Sequence, residues 1–294
     1  MKSVDLTDRR LITPRDVEVA AEAGATELIV DTGAVLRKPV RLMLQQTGIV
    51  LRFGPATRTP SDARPEQRLF HSPEANAIKE EICAVGRKLW ERSYVDGNGG
   101  NISCRIAENA VICTPTLRSK GDITPDDLCL IDLDGTQLAG ALRPTSEARL
   151  HLEIYRNSAA GAVIHCHPPH ATAYAISGRV PPAGIIPEFD VFVGPVVLTS
   201  YETPGTRAFA ETVLPHVSNH NTILLGNHGV VCWAATPTRA EWQVETLEAY
   251  CQTLLLSRQL GGSCTRIPQE KQEELLAIKK RLGIPDPRFS PDRH

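Results

Sequence analysis

Apolar positions change period several times along the chain, and the changes mark out its elements. Behind Ser72 and Pro73, a capping residue and a proline suited to the first helical position, Ile78, Ile82, Val85 and Leu89 recur at helical spacing. Short β-like runs follow in NISCRI, VICTP and LCLIDLDG, each closed by polar or glycine-containing turns. A helix over about 146–157 precedes a strand in AVIHCH and a helix in PHATAYAIS. Further on, VVLTS and TILLGNHGVVCW read as strands around a helix in TRAFAETVL. A long helix from about 237 to 260 stops at Gly261 and Gly262, and a charged one over 269–282 ends at Gly283. Strands and helices mingle without a regular strand–helix–strand cadence, which predicts a sheet covered by helices on both faces. No internal repeat is visible.

The pattern before this is shorter. Thr13 and Pro14 open a helix in RDVEVAAEAG, followed by an apolar run at Leu28 to Val30, a turn around Gly33, a second helix over about 39–46 and a closing GIVLRF. The passage from Gly54 to Pro73 is rich in proline, arginine and aspartate and reads as a linker. The expected organisation is a small N-terminal docking or assembly module at 1–53, a linker at 54–71, a main domain at 72–262 and a C-terminal helical tail at 263–294. A unit of about fifty residues is too small for a large core, so it is expected to dock on something, in this chain or another.

Composition narrows the function classes. With 294 residues, 41% hydrophobic and 22% charged, the chain can bury a substantial core. A net charge of −2 provides no overall field for phosphate backbones or acidic membranes, so a dedicated nucleic-acid or membrane binder is not expected. No stretch approaches a membrane span, and the N-terminus lacks the apolar core of a secretory signal; a soluble, cytoplasmic protein is expected. Eight cysteines form no CxxC pair and mostly sit in apolar runs, which suits buried thiols.

The most informative local feature is His165-Cys166-His167. In a strand, residues i and i+2 share a face, so two imidazoles can converge on one ion; two hydrogen-bonded histidines at a strand end would read the same way. His228 lies at an Asn-His-Gly corner, as a third ligand or as an ordinary turn histidine, and the neighbouring glycine would permit a tight turn and close approach of a ligand. Three imidazoles would hold a divalent ion such as zinc while leaving room for substrate oxygens. Glu147 begins a predicted helix, where it can complement the helix dipole or, beside a metal, ligate it and move a proton. His151 lies one turn further on the same helical face and reads as structural. The loop Gly97 to Asn101, with Thr116, Thr145 and Ser146, offers donors for an anion. Lys120 has Arg118 and Asp122 as neighbours, which suggests no apolar pocket to depress its pKa.

Taken in order, GNGGNISCR, TPTLRSKGD, RPTSEARLH, VIHCHPPHATA, PEFDVFVGPV, YETPGT and LLGNHGVV make residues 72–262 resemble the class II aldolase/adducin family. The resemblance implies an α/β (α+β) fold of three layers, with a largely antiparallel central sheet flanked by helices on both faces. It also implies a homotetramer with active sites at subunit boundaries. By the same likeness His165, His167 and His228 are zinc ligands, Glu147 is an acid/base carboxylate that also touches the metal, and Asn101, Thr116, Thr145 and Ser146 bind the substrate phosphate. Glu188 falls where some relatives place a tyrosine, and others a glutamate, as a second proton donor from a neighbouring subunit; it reads as that second acid or as a structural carboxylate at a loop end. The expected activity is reversible cleavage of a ketose 1-phosphate to dihydroxyacetone phosphate and a short aldehyde such as lactaldehyde, through a metal-stabilised enediolate.

The alternatives are a sugar-phosphate epimerase, a dehydratase or decarboxylase on the same scaffold, or a non-enzymatic adducin-like interaction module. Where such aldolases often have Thr-Gly, this chain has Thr116 and Leu117, which leaves one edge of the phosphate pocket open to change. The N-terminal module is similar to short segments attached to some bacterial microcompartment enzymes, which implies docking or encapsulation.

Overall fold

A computed structural model describes residues 2–7, 9, 11–54, 64–261 and 263–289. The chain divides into two compact units, 1–71 and 72–294.

In the first unit, β1 (Ser3–Leu6), β2 (Leu11–Ile12), α1 (Pro14–Glu22), β3 (Glu27–Asp31), β4 (Val35–Leu36), α2 (Lys38–Thr47) and β5 (Val50–Gly54) follow one another. Helical crossovers return the chain in the same direction, so β1, β3 and β5 form a parallel sheet in that order, and β2 pairs parallel with β4. The Asp16 carboxylate accepts from the Thr13 backbone N–H at 2.6 Å and its hydroxyl at 2.9 Å, fixing the start of α1. Val17, Ala20, Leu28, Val30, Val40 and Leu44 form the core. Within the expected linker lies α3 (Pro65–Phe70), with proline and Glu66 in its first turn. Residues 55–63 of that linker lie outside the described residues.

The second unit opens with α4 (Pro73–Glu91), where the Ser72 hydroxyl accepts from the Ala75 N–H at 3.1 Å. It continues through β6 (Asn101–Ala107), β7 (Ala110–Cys113), β8 (Cys129–Ile131), β9 (Gln137–Ala139), α5 (Ala148–Asn157), β10 (Ala162–Cys166), α6 (Pro169–Ile176), α7 (Pro187–Phe192), β11 (Val197–Leu198), α8 (Arg207–Glu211), β12 (Thr222–Leu225), β13 (Gly229–Ala234), α9 (Pro237–Gln259) and α10 (Gln269–Arg281). The eight-stranded sheet runs β11-β12-β13-β10-β6-β7-β8-β9, antiparallel throughout except for β11 with β12. Helices α4, α6 and α9 pack on one face. On the other, α5 and α8 close over Val111, Ile131, Val163, Val231 and Trp233. The expected three-layer α/β architecture with a largely antiparallel centre is the one observed.

Strand alternation decides what meets at the site. Val163 faces the α5 layer, so His165, two residues on, does too. Asn101 and Ser103 are the direct cross-strand partners of His165 and Val163, and they share that face. The eight cysteines are free thiols and all but Cys264 are buried. Among the described residues no helix is long and apolar enough to cross a membrane.

Candidate metal centre

Strand β10 ends at Cys166, and His167 follows just beyond it, held by its backbone N–H donating to the Tyr94 carbonyl at 2.8 Å. The two rings still converge, with their Nε2 atoms 3.0 Å apart. His228 reaches them from the corner between β12 and β13. Asn227 there takes a left-handed φ of 53°, and ring centroids lie 4.5 Å from His165 and 5.0 Å from His167. Gly229 is needed for a reason other than ligand access: a Cβ there would sit 2.5 Å from the Cys166 carbonyl oxygen and 2.6 Å from the His167 ring. Gly100, at φ +67°, likewise lets the loop before β6 lie against the His165 carbonyl.

One nitrogen from each of the three rings lies within 4.8 Å of the others, the grouping suited to a shared ion among the described residues. His165 is fully buried and its Nδ1 donates to the Val230 carbonyl at 2.9 Å, which leaves Nε2 as a lone pair aimed at the other rings. Burial, then the neighbouring His167 and His228, holds its pKa well below the usual histidine value. Burial also lowers the pKa of His167 and His228, against the opposing pull of Asp96 and Glu147 on the first and Glu147 on the second. His228 Nδ1 is buried without a hydrogen-bond partner. Neutral rings with converging lone pairs repel each other unless a cation lies between them, so this donor set fits a divalent ion.

Glu147 is the N-cap residue of α5, but its side chain caps nothing. Instead Oε2 lies 3.3 Å from His165 Nε2 and Oε1 3.7 Å from His228 Nε2. The carboxylate is buried, and it accepts a hydrogen bond from Asn101 Nδ2 at 2.7 Å. Thr116 N–H donates to the Arg143 carbonyl, and Thr145 N–H to the Thr114 carbonyl, so the loops carrying Thr116, Thr145 and Ser146 lie side by side next to Glu147. Thr145 is buried, Thr116 half-buried and Ser146 exposed. Lys120 departs from the reading of its neighbours: it is 1% exposed, its ammonium donates to the Asn98 carbonyl at 2.9 Å and to that of Arg118, and burial lowers its pKa to about 8 while Glu147 pulls the other way.

Residues 80–255 match the profile described as the class II aldolase and adducin N-terminal domain. The chain belongs to the class II aldolase and adducin family. It is 35% identical over 173 residues to an L-fuculose phosphate aldolase of Methanococcus maripaludis, spanning 58% of this chain and 93% of the relative. A 3-oxo-tetronate 4-phosphate decarboxylase of Cupriavidus necator is 31% identical over 194 residues, or 64% of this chain and 88% of the relative. A solved L-fuculose 1-phosphate aldolase superposes with a TM-score of 0.64 at 26% identity, covering 72% of this chain and all of the other. Like the aldolases of its family, the chain is an enzyme of the lyase class.

Two departures from the family motifs acquire a structural setting. Leu117 adopts φ 56°, a left-handed conformation that glycine takes without a Cβ penalty, and its side chain is 75% exposed. Glu188, in the first turn of α7, is exposed and lines a shallow groove with Phe189, Glu245, Ala249 and Tyr250. That groove lies along α9, which covers the opposite face of the sheet from Glu147. Among the described residues of one chain, the structure brings together His165, His167, His228, Glu147 and Asn101, and leaves Glu188 apart. His151, read as structural, is buried and hydrogen-bonded to Asn101, one helical turn after Glu147.

Proposed function

We propose that the enzyme is a metal-dependent aldolase that reversibly cleaves a ketose 1-phosphate to dihydroxyacetone phosphate and a short aldehyde such as lactaldehyde. The observation that carries this reading is the meeting of three neutral imidazoles with one buried carboxylate, 3.3 Å from the nearest ring nitrogen. His165, His167 and His228 hold the ion, zinc by the preference of a three-histidine set, with Glu147 able to touch it. A bound dication supplies the positive charge that stabilises the electron pair released when the carbon–carbon bond breaks.

The remaining work falls to the chain's own side chains. Glu147 delivers a proton to the carbon that gains the electron pair, and takes it back in the condensation direction. A second group accepts the alcohol proton as the aldehyde departs; Glu188 fills that role from a neighbouring subunit of a homotetramer. Thr116, Thr145 and Ser146 bind the phosphate together with Asn101, whose amide nitrogen keeps a second hydrogen beyond the one donated to Glu147. The N-terminal unit serves docking or assembly of a cytoplasmic enzyme, in a microcompartment where one is present. Removing residues 1–65 should then leave turnover intact while changing assembly or location.

Zinc-loaded protein incubated with a panel of ketose phosphates, with triose-phosphate release read alongside sugar isomerisation, tests the reading. Triose phosphate supports it, and isomerised sugar alone replaces it with epimerisation. The similarity to the Cupriavidus decarboxylase favours a second reading, loss of carbon dioxide from a 3-oxo acid phosphate, which the same charge stabilisation would serve.

A further inference from the structure

Behind Glu147 a buried line of polar groups runs into the α5 layer of the sheet. Asn101 Nδ2 donates to Glu147 Oε2 at 2.7 Å, and Asn101 Oδ1 lies 2.6 Å from His151 Nε2. His151 Nδ1 lies 2.7 Å from Ser103 Oγ, which is 2.9 Å from the Tyr155 hydroxyl. All four residues behind Glu147 are 5% exposed or less. Their order follows from the fold: His151 and Tyr155 are one helical turn apart on α5, and Asn101 and Ser103 are alternate residues on β6.

The direction of the hydrogen bonds is fixed from the far end. Burial raises the Tyr155 pKa well above its ordinary value, so the phenol keeps its proton. With the hydroxyl buried against Ser103 Oγ as its hydrogen-bond partner, that proton is satisfied by donation to Ser103. Ser103 then donates to His151 Nδ1, and burial, lowering the His151 pKa to about 3, keeps the ring neutral. A neutral imidazole that accepts at Nδ1 carries its proton on Nε2. That proton goes to Asn101 Oδ1, so the Asn101 amide nitrogen, and not its oxygen, faces Glu147.

Resting on the proposed role of Glu147, we propose that His151, as the Nε2-protonated tautomer set by Ser103 and Tyr155, is a positioning residue that locks Asn101 with its amide nitrogen toward the Glu147 carboxylate. Without the imidazole the amide is free to turn over and present an oxygen to a carboxylate, which repels it. The carboxylate then loses the orientation that aims it at the reacting carbon, and the phosphate loses the Asn101 amide hydrogen while keeping Thr116, Thr145 and Ser146.

The test has two arms on metal-loaded protein. Two-bond proton–nitrogen correlations on ¹⁵N-histidine-labelled protein, assigned by loss of the signal in His151→Gln, should show a bare Nδ1 and a protonated Nε2 at residue 151. Tyr155→Phe, which removes one hydroxyl without opening a hole, should shift that ring toward a tautomer mixture. In the kinetic arm His151→Phe should lower kcat by about 10–100-fold, with a smaller rise in KM and metal content unchanged. His151→Gln, which restores an N–H in reach of Asn101, should recover much of the loss. A charged or Nδ1-protonated ring, a Tyr155→Phe spectrum identical to the native one, native kcat in His151→Phe, or equal losses in the Phe and Gln variants would each overturn the proposal. Absence of sugar-phosphate cleavage by the unmodified protein would overturn the proposed function instead, and the tautomer spectrum would still be decided.

Discussion

Glu147 and Glu188 are both acids chosen from sequence motifs, and they end in opposite surroundings. Glu147 is buried between the imidazoles of His165 and His228 and an asparagine amide, where water competes little and each charge interaction is strong. Glu188 stands exposed at the rim of an open groove along α9, where solvent screens any charge it carries. A carboxylate becomes a defined proton carrier through the groups that hold it, so the first is equipped within one chain and the second needs a surface supplied by another.

Removing the cation tests the buried side most severely. His165→Ala, or chelation of the native protein, should abolish metal retention and lower turnover by at least about a thousandfold, since several kcal/mol of charge stabilisation is lost. Metal analysis with steady-state kinetics checks it, and full activity in the metal-free protein would refute the centre. Glu147→Gln should retain metal yet lower kcat by about 10²–10⁴-fold. Glu188→Gln should cost less, about 10–10²-fold, and only in the assembled protein; a native rate would remove Glu188 from the chemistry.

The groove side also carries a pH signature. Glu241 is buried on α9 beside Glu245, with Oε1 unpaired and Oε2 3.4 Å from Lys88 Nζ, and Arg92 pairs with Glu245 at 2.7 Å. Burial, then Glu245, pushes the Glu241 pKa up to about 7 against the pull of Lys88. The folded state therefore binds this proton more tightly than the unfolded chain, and the stability it contributes is full below the ordinary carboxylate range and lost as pH rises through about 7. Melting temperature followed from pH 4 to 8 should fall less steeply in Glu241→Gln than in the native protein. The smallest effect belongs to Leu117→Gly, which should change stability by no more than about 1 kcal/mol toward the folded state, because relief of the left-handed strain is partly offset by chain entropy. A destabilised variant in thermal melts would show that the exposed leucine side chain makes a contact of its own.

Much of this was legible in the chain. The i, i+2 histidine spacing names a shared strand face, and the Asn-His-Gly corner names a tight turn, because both are local consequences of backbone geometry. The helix in the supposed linker was hidden by proline and arginine content, although proline at a first helical position is a start signal as well as a breaker. Lys120 was misread because its sequence neighbours are charged, while Gly86 and Asn98, distant in the sequence, also lie against it and the fold buries it.

The sequence by itself determined the element pattern, the family and the identity of the candidate ligands, since these follow from local periodicity and ordered motifs. Only the tertiary structure decided that Glu147 turns from its helix end toward His165 and His228, that Glu188 does not join them within one chain, and that His151 stands behind Asn101. Those outcomes depend on which strand lies beside which and which face each residue takes. Register between β6 and β10 is a property of the packed sheet, and no run of neighbouring residues encodes it alone.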